Sequence, residues 1–370
     1  MVIGYWLSRE NQQFNSSTIQ QFNNSTVQQL MIHNSTHFRY KKLSASRCTW
    51  LLSICLILSV AGCQHRNSTE HHEGDLSINR FEQLLFQTDR NDLPQKLTEV
   101  ANIYNCHLLK IYPNDPQYMQ MLQGFVSDPV VKEVYRITDS CYPTLYELEH
   151  NLTKALEKAA KLHPDIHCSK CFSLVTCDFD YNSRVTFEDG EMLISLDQYA
   201  LPYFQKFGYF QTPLYIVAQC TPANILPDCM AAIARNHIAL PSTEQPSLLD
   251  YMIMEGKVLY FIDQVLPDTP DSLKIRYTKE QMHWMESNEK MVWAYFVQNK
   301  VLYEDDYMRI HNFIDDAPKT NAFKDSAPRT TQYIGWQIVK AYMKKTHKSM
   351  KALFENANSQ EILTQSCYRP

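Results

Sequence analysis

Within this chain of 370 residues, Glu255 is the side chain whose setting demands a chemical account. It lies in residues 247–267, SLLDYMIMEGKVLYFIDQVLP. Read as a helix, this stretch puts Leu248, Met252, Glu255, Leu259, Ile262 and Leu266 on one stripe, each three or four residues after the last. Leu249, Tyr251, Ile253, Met254, Val258 and Phe261 widen the apolar surface, so burial nearly all round is expected. A carboxylate in that position needs a partner, because an unpaired charge is costly to remove from water. Gly256 follows at once; it weakens a helix by about 1 kcal/mol relative to Ala and lets another backbone come close. Such a pair suits a ligand-holding site or a tight helix crossing. A core carboxylate, hydrogen-bonded, neutral or paired with an arginine such as Arg235, is the alternative.

Two other helices carry candidates. Over residues 226–239, Leu226, Met230, Ile233 and His237 share a face. A zinc peptidase helix needs HExxH there: two imidazoles one turn apart hold the ion, and the Glu handles the proton of the attacking water. With His237 in the second His position, Ile233 replaces the first and Ala234 the base, so the motif is not present. Glu289 sits on the stripe Met282, Met285, Glu289, Val292 and Phe296, in a helix started by the capping box Thr278 to Gln281. His163, His167, Cys168 and Cys171 suggest zinc, but no second CxxC or matched His pair accompanies them. Eight cysteines follow Cys63, an even number that permits disulfides in an oxidising compartment or leaves buried thiols. Cys168 and Cys171 lack the helix-opening setting of a thioredoxin-like pair.

The elements that would position these residues form three blocks. Helices are expected around Phe81, Leu84 and Leu85, over residues 97–109, over 130–135, and from Leu145 through Ala159 until Pro164. The period then changes: residues 172–178, 183–187 and 191–196 read as short strands, with Glu188, Asp189 and Gly190 as a turn. Helices resume near Asn224 and include residues 333–343 and a short final one capped by Ser349. Helices, a small sheet in the middle of the chain, then helices again make an α+β fold, mainly helical.

The first 76 residues carry the signals of cellular address. Residues 12–19, QQFNSSTI, are followed directly by QQFNNSTV, and so polar a repeat cannot bury enough surface to fold. Residues 1–30 are therefore expected to be an upstream tract outside the mature protein, with Met31 as the start. Residues 31–62 carry Arg39, Lys41, Lys42 and Arg47, then a short apolar run from Trp50 to Val60, the pattern of a secretory signal. Val60, Ala61, Gly62 and Cys63 resemble a lipobox, which implies cleavage between Gly62 and Cys63 and acylation of the Cys63 thiol. Gln64 rather than Asp after it fits onward sorting to an outer membrane. Residues 63–76 read as a lipidated tether and residues 77–370 as the folded domain. A net charge of −5 gives no basic footprint for nucleic acid, and with 8 glycines no phosphate loop is expected.

Three stretches together resemble the gliding motility lipoprotein GldB family of Bacteroidetes: LLDYMIMEGKVLYFIDQVLPDTPDSL, YTKEQMHWMESNEKMVWAYFVQNKVLY and YIGWQIVKAYMKKTHKSMKALF. The stretch GYFQTPLYIVAQCTPANILPDCMAAIAR and the lipobox fit the same family. More distantly, the order of a helix, then Glu255 and Gly256, then the helix containing Ile334, Gly335 and Trp336, resembles predicted zinc metallopeptidases. In those, an HExxH helix is followed by a Glu-Gly helix that supplies the third ligand. That likeness implies a zincin-like fold in which Glu255 is the vestige of a ligand. The family resemblance implies a role in gliding and the associated type IX secretion apparatus, without assigned chemistry.

The leading expectation is a lipid-anchored envelope protein that has lost its metal, is not an enzyme, takes no cofactor, and binds or scaffolds other proteins of the gliding and secretion machinery. Its vestigial ligand or cleft residues would be Glu255, Gly256, His237 and Glu289. A second reading is an active envelope zinc peptidase using Glu255, His237 and further ligands. A third is a lipoprotein that holds a peptide or glycan in a cleft walled by Tyr203, Phe204, Tyr209 and Phe210.

Overall fold

Ser247 begins the central helix by accepting the Asp250 backbone N–H at 3.3 Å, while Asp250 Oδ2 accepts the Ser247 N–H at 2.9 Å. This reciprocal box satisfies two of the donors that a helix start leaves open. The computed structural model describes residues 74–177, 184–206 and 212–370, all within one compact unit, Thr69–Pro370. In chain order the described elements are β1 (Ile78–Arg80), α1 (Phe81–Gln87), α2 (Leu93–Glu99), α3 (Ala101–Tyr104), α4 (Pro116–Ser127), α5 (Pro129–Cys141) and α6 (Tyr146–Leu162). Then come β2 (Lys170–Leu174), β3 (Val185–Glu188), β4 (Glu191–Ser195), α7 (Leu201–Lys206), α8 (Leu214–Val217) and α9 (Pro222–His237). The last block is α10 (Leu248–Val265), α11 (Asp271–Ile275), α12 (Lys279–Gln298), α13 (Tyr307–Ile314), α14 (Thr330–Thr346), α15 (Met350–Glu355) and α16 (Ser359–Ser366). The fold is mainly helical α+β.

The sheet runs β1-β2-β4-β3. β1 and β4 both pair with β2 in parallel, and β3 returns antiparallel to β4 through Asp189 and Gly190, both at positive φ. The expected hairpin turn is therefore present. β1 is a departure: residues 78–80 were expected to belong to a helical block, but the Ile78 N–H is taken by Glu149 Oε1 at 2.7 Å and the segment pairs with Cys171 to Ser173. A strand of three residues is too short to show alternation. The helix expected over residues 97–109 is also corrected. It is interrupted at Val100 and ends at Tyr104, and the Leu108 N–H instead goes to Glu191 Oε2 at 3.0 Å, so Leu108 and Leu109 enter the core from a loop.

α10 and α14 form the packing axis. A Cβ added to Gly256 would lie 2.3 Å from the Gly335 carbonyl oxygen, and one added to Gly335 would lie 1.8 Å from the Met252 carbonyl oxygen. The two glycines therefore let two helix backbones touch. Trp336, Phe261, Phe296 and Phe354 fill the surrounding core without exposure. Gly256 thus serves the tight crossing, and α10 is largely buried as expected, with Asp250, Tyr251, Met254, Glu255, Tyr260 and Asp263 half-buried and Gln264 exposed.

Candidate functional site

α9 is set by Pro222 at its first position, where its missing N–H is no loss, and by Asn224 Oδ1, which accepts the Thr221 N–H at 3.3 Å. It presents Asp228, Ala232, Arg235 and Asn236 to a cavity of about 580 Å³. The other walls are Val185 to Phe187 of β3, Ile314 to Asp316 at the end of α13, and Arg329 and Gln332 at the start of α14. Arg184, just before β3, and Arg276, at the end of α11, complete the lining.

Four guanidiniums meet here. Arg235 grips Glu255 at two points, Nε donating to Oε1 at 3.3 Å and Nη2 to Oε2 at 2.8 Å. Glu255 raises the Arg235 pKa above the ordinary value against the pull of burial, and 42% of the side chain is exposed. Asp228, 4% exposed, is the second anchor. It accepts from Arg276 Nε at 2.8 Å and from Tyr199 Oη at 2.8 Å, and its Oδ2 lies 3.2 Å from Arg184 Nε. Burial, the largest influence, would lower the Arg184 pKa, but Asp228, Cys220 and Tyr199 together outweigh it and raise it. For Arg276 burial dominates and lowers the pKa; Asp228 opposes it, and the neighbouring Arg184, Arg235 and Arg329 add to it. Arg329 donates through Nη2 to the carbonyls of Ile275 and Arg276, at 3.2 and 3.1 Å, and its Nε lies 3.2 Å from Asp316. Burial raises the Asp316 carboxyl, but Arg329 and Arg276 overcome that and hold it below its ordinary value.

The residues marked out by sequence fall in separate places. Glu255 is beside the arginine cluster, and its partner is the Arg235 named as the core alternative. His237 is not at this cavity's lining: its Nδ1 lies 2.9 Å from the Ile233 carbonyl, and its ring meets His163 edge-on at 5.5 Å. Burial first, and His237 next, lower the His163 pKa. Glu289 accepts the Tyr368 hydroxyl at 2.6 Å, a link from the α12 seam to the C-terminal segment. Among the described residues no three His, Cys, Asp or Glu side chains converge as a metal-holding group. Among the described residues no disulfide joins any of the eight cysteines from Cys106 to Cys367, so the disulfides that their number permits are not formed. Cys168 and Cys171 enter a strand, not a helix, and burial pushes the Cys168 thiol up to about 12. Of the expected aromatic cleft wall, Phe204 is fully buried and Tyr203 is exposed, while Tyr209 and Phe210 lie outside the described residues. Gly62 and Cys63 also lie outside them.

Arg184, Arg276, Arg329, Asp228 and Asp316 were not singled out by sequence. They come from five separate segments, and no spacing in the chain links them.

These features define an α+β domain, mainly helical, with an arginine-lined cavity at the antiparallel edge of a small mixed sheet. The chain belongs to the GldB family: the family model described as gliding motility protein GldB matches residues 62–370. That family is one of gliding motility lipoproteins and not a known enzyme family; it implies a cell-envelope location and work among envelope machinery proteins. Comparison with curated proteins and with solved structures gave no match. Among the described residues no helix is long and apolar enough to cross a membrane.

Proposed function

We propose that the protein is a lipid-anchored, non-catalytic binding or scaffold component of the gliding and type IX secretion machinery, built on a degenerate zincin-like fold, with Cys63 carrying the lipid and the outer membrane as its site. The observation that carries this reading is the two-point grip of Arg235 on Glu255. A carboxylate that serves as a metal ligand must offer its lone pairs to a cation of higher charge. Here a guanidinium fork from α9 already takes both oxygens, in the bidentate geometry that makes such pairs strong. His237, the other candidate ligand, is turned toward His163 and Phe187.

Elemental analysis of the full-length protein, purified in detergent and dialysed, tests the reading. The expected result is zinc far below one per chain, unchanged in Glu255→Ala. Near one zinc per chain, lost in Glu255→Ala, would overturn it in favour of a zinc peptidase.

A further inference from the structure

Each of the four cavity arginines leaves one terminal nitrogen without a protein hydrogen bond among the described residues: Nη2 of Arg184, and Nη1 of Arg235, Arg276 and Arg329. Gathering four guanidiniums around one space of about 580 Å³ is electrostatically expensive, and Arg184, Arg235 and Arg329 add to the burial that lowers the Arg276 pKa. The volume is in the range of sites that hold small ligands or peptide segments. Arg329 adds a second, independent sign. It occupies the N-cap position of α14 at φ 46°, ψ 44°, whereas an N-cap residue normally has extended backbone. A non-glycine residue in that left-handed region is strained and persists where its surroundings hold it. Here the hold is its own side chain, tied to Ile275, Arg276 and Asp316.

We propose that this cavity binds a carboxylate of a polypeptide ligand, received by Arg235 and Arg276 with Arg184 and Arg329 behind them. This deepens the non-catalytic binding reading and rests on it. The guanidinium fork recognises carboxylates and phosphates alike, and the remaining lining chooses between them. Asp228, Asp315 and Asp316 share the walls, so a single negative charge is accommodated where a dianionic phosphate meets repulsion. Val185, Phe187 and Ile314 supply an apolar side, which suits a carboxylate carried on a peptide with an aliphatic residue beside it.

The test is calorimetric titration of the full-length protein in detergent with four probes. They are N-acetyl-Ala-Ala-Leu with a free carboxylate, its C-terminal amide, an amidated peptide with an internal Glu, and inorganic phosphate. Either carboxylate peptide is expected to bind at least about tenfold more tightly than the uncharged amide, and more tightly than phosphate. The stronger of the two identifies the source, chain terminus or side chain. Arg276→Gln should lower that affinity about tenfold. Because it leaves Asp228 with one cation fewer, Thr186→Glu is the second variant: it sets a carboxylate on the edge strand lining the cavity and should compete to the same extent. Equal binding of acid and amide, tighter binding of phosphate, no binding by any probe, or no effect of Thr186→Glu overturns the proposal. Hydrolysis of a bound peptide would instead sink the non-catalytic reading while leaving the carboxylate site standing.

Discussion

Lys257 follows the Glu-Gly pair directly and is 2% exposed. Its Nζ donates to the Asn356 carbonyl at 2.6 Å, which satisfies an acceptor at the end of α15, but among the described residues no carboxylate pairs with the charge. Burial therefore lowers its pKa from 10.5 to about 8. Below pH 8 both folded and unfolded chains hold the proton, and the fold carries the full cost of burying it. Between about 8 and 10.5 the unfolded chain binds more protons than the folded one, so stability rises with pH over that window. Relative to Lys257→Met, the parent should gain about 1–2 kcal/mol between roughly pH 8 and pH 9.5, read from paired denaturant titrations. Parallel profiles for the two proteins would show that Lys257 does not titrate there. At this scale the sequence was half legible. Glu255 was recognisable as a charge in want of a cation, and Arg235 was within its reach on a separate helix. The rest of the arginine cluster was hidden, because proximity among Arg184, Arg276 and Arg329 is a product of tertiary folding and leaves no period in the chain.

The crossing of α10 and α14 decides what holds the cluster in place. α10 carries Glu255, α14 begins at Arg329, and the two helices touch where glycine is required on both sides. In Gly335→Ala the new Cβ meets backbone, which cannot swing aside as a flexible side chain would, so the helices must separate. The expected loss is about 1–3 kcal/mol or more in equilibrium unfolding, with Gly256→Ala close behind. An unchanged midpoint in Gly335→Ala would mean that the helices do not approach so closely. Long helices were the most legible elements: α10 and α12 carry both period and a capping box, and α14 carries the period alone. α4 and α5 each start with an Asp that accepts backbone N–H groups, followed by Pro, as at Asp115 and Asp128. That signal would have located α4, for which apolar period alone was weak. β1 offered no comparable signal, because its pairing is dictated by Glu149 and β2, far along the chain.

For the whole molecule, the decisive question is how the cavity is presented to the envelope. The chain enters the fold pinned to α6: the Leu76 N–H donates to Thr153 Oγ1 at 2.8 Å, and Asp75 lies 3.1 Å from His150 Nδ1. If Cys63 carries the lipid, the stretch from there to Asp75 can span at most roughly 40 Å, so the domain stays close to the bilayer and its reach toward partners is short. One acyl chain alone gives reversible binding, each buried CH₂ contributing about 0.8 kcal/mol, whereas two or three chains hold a protein stably. Replacing the acylated thiol should therefore abolish anchoring without touching the fold. Full-length Cys63→Ala is expected to move from the detergent phase to the aqueous phase on detergent phase separation, and to keep the circular dichroism and the peptide affinity of the parent. If it still partitions with the detergent as the parent does, lipidation at Cys63 is not what holds the protein. If it becomes aqueous but loses peptide binding as well, the cavity depends on the membrane, and the carboxylate it receives is presented there.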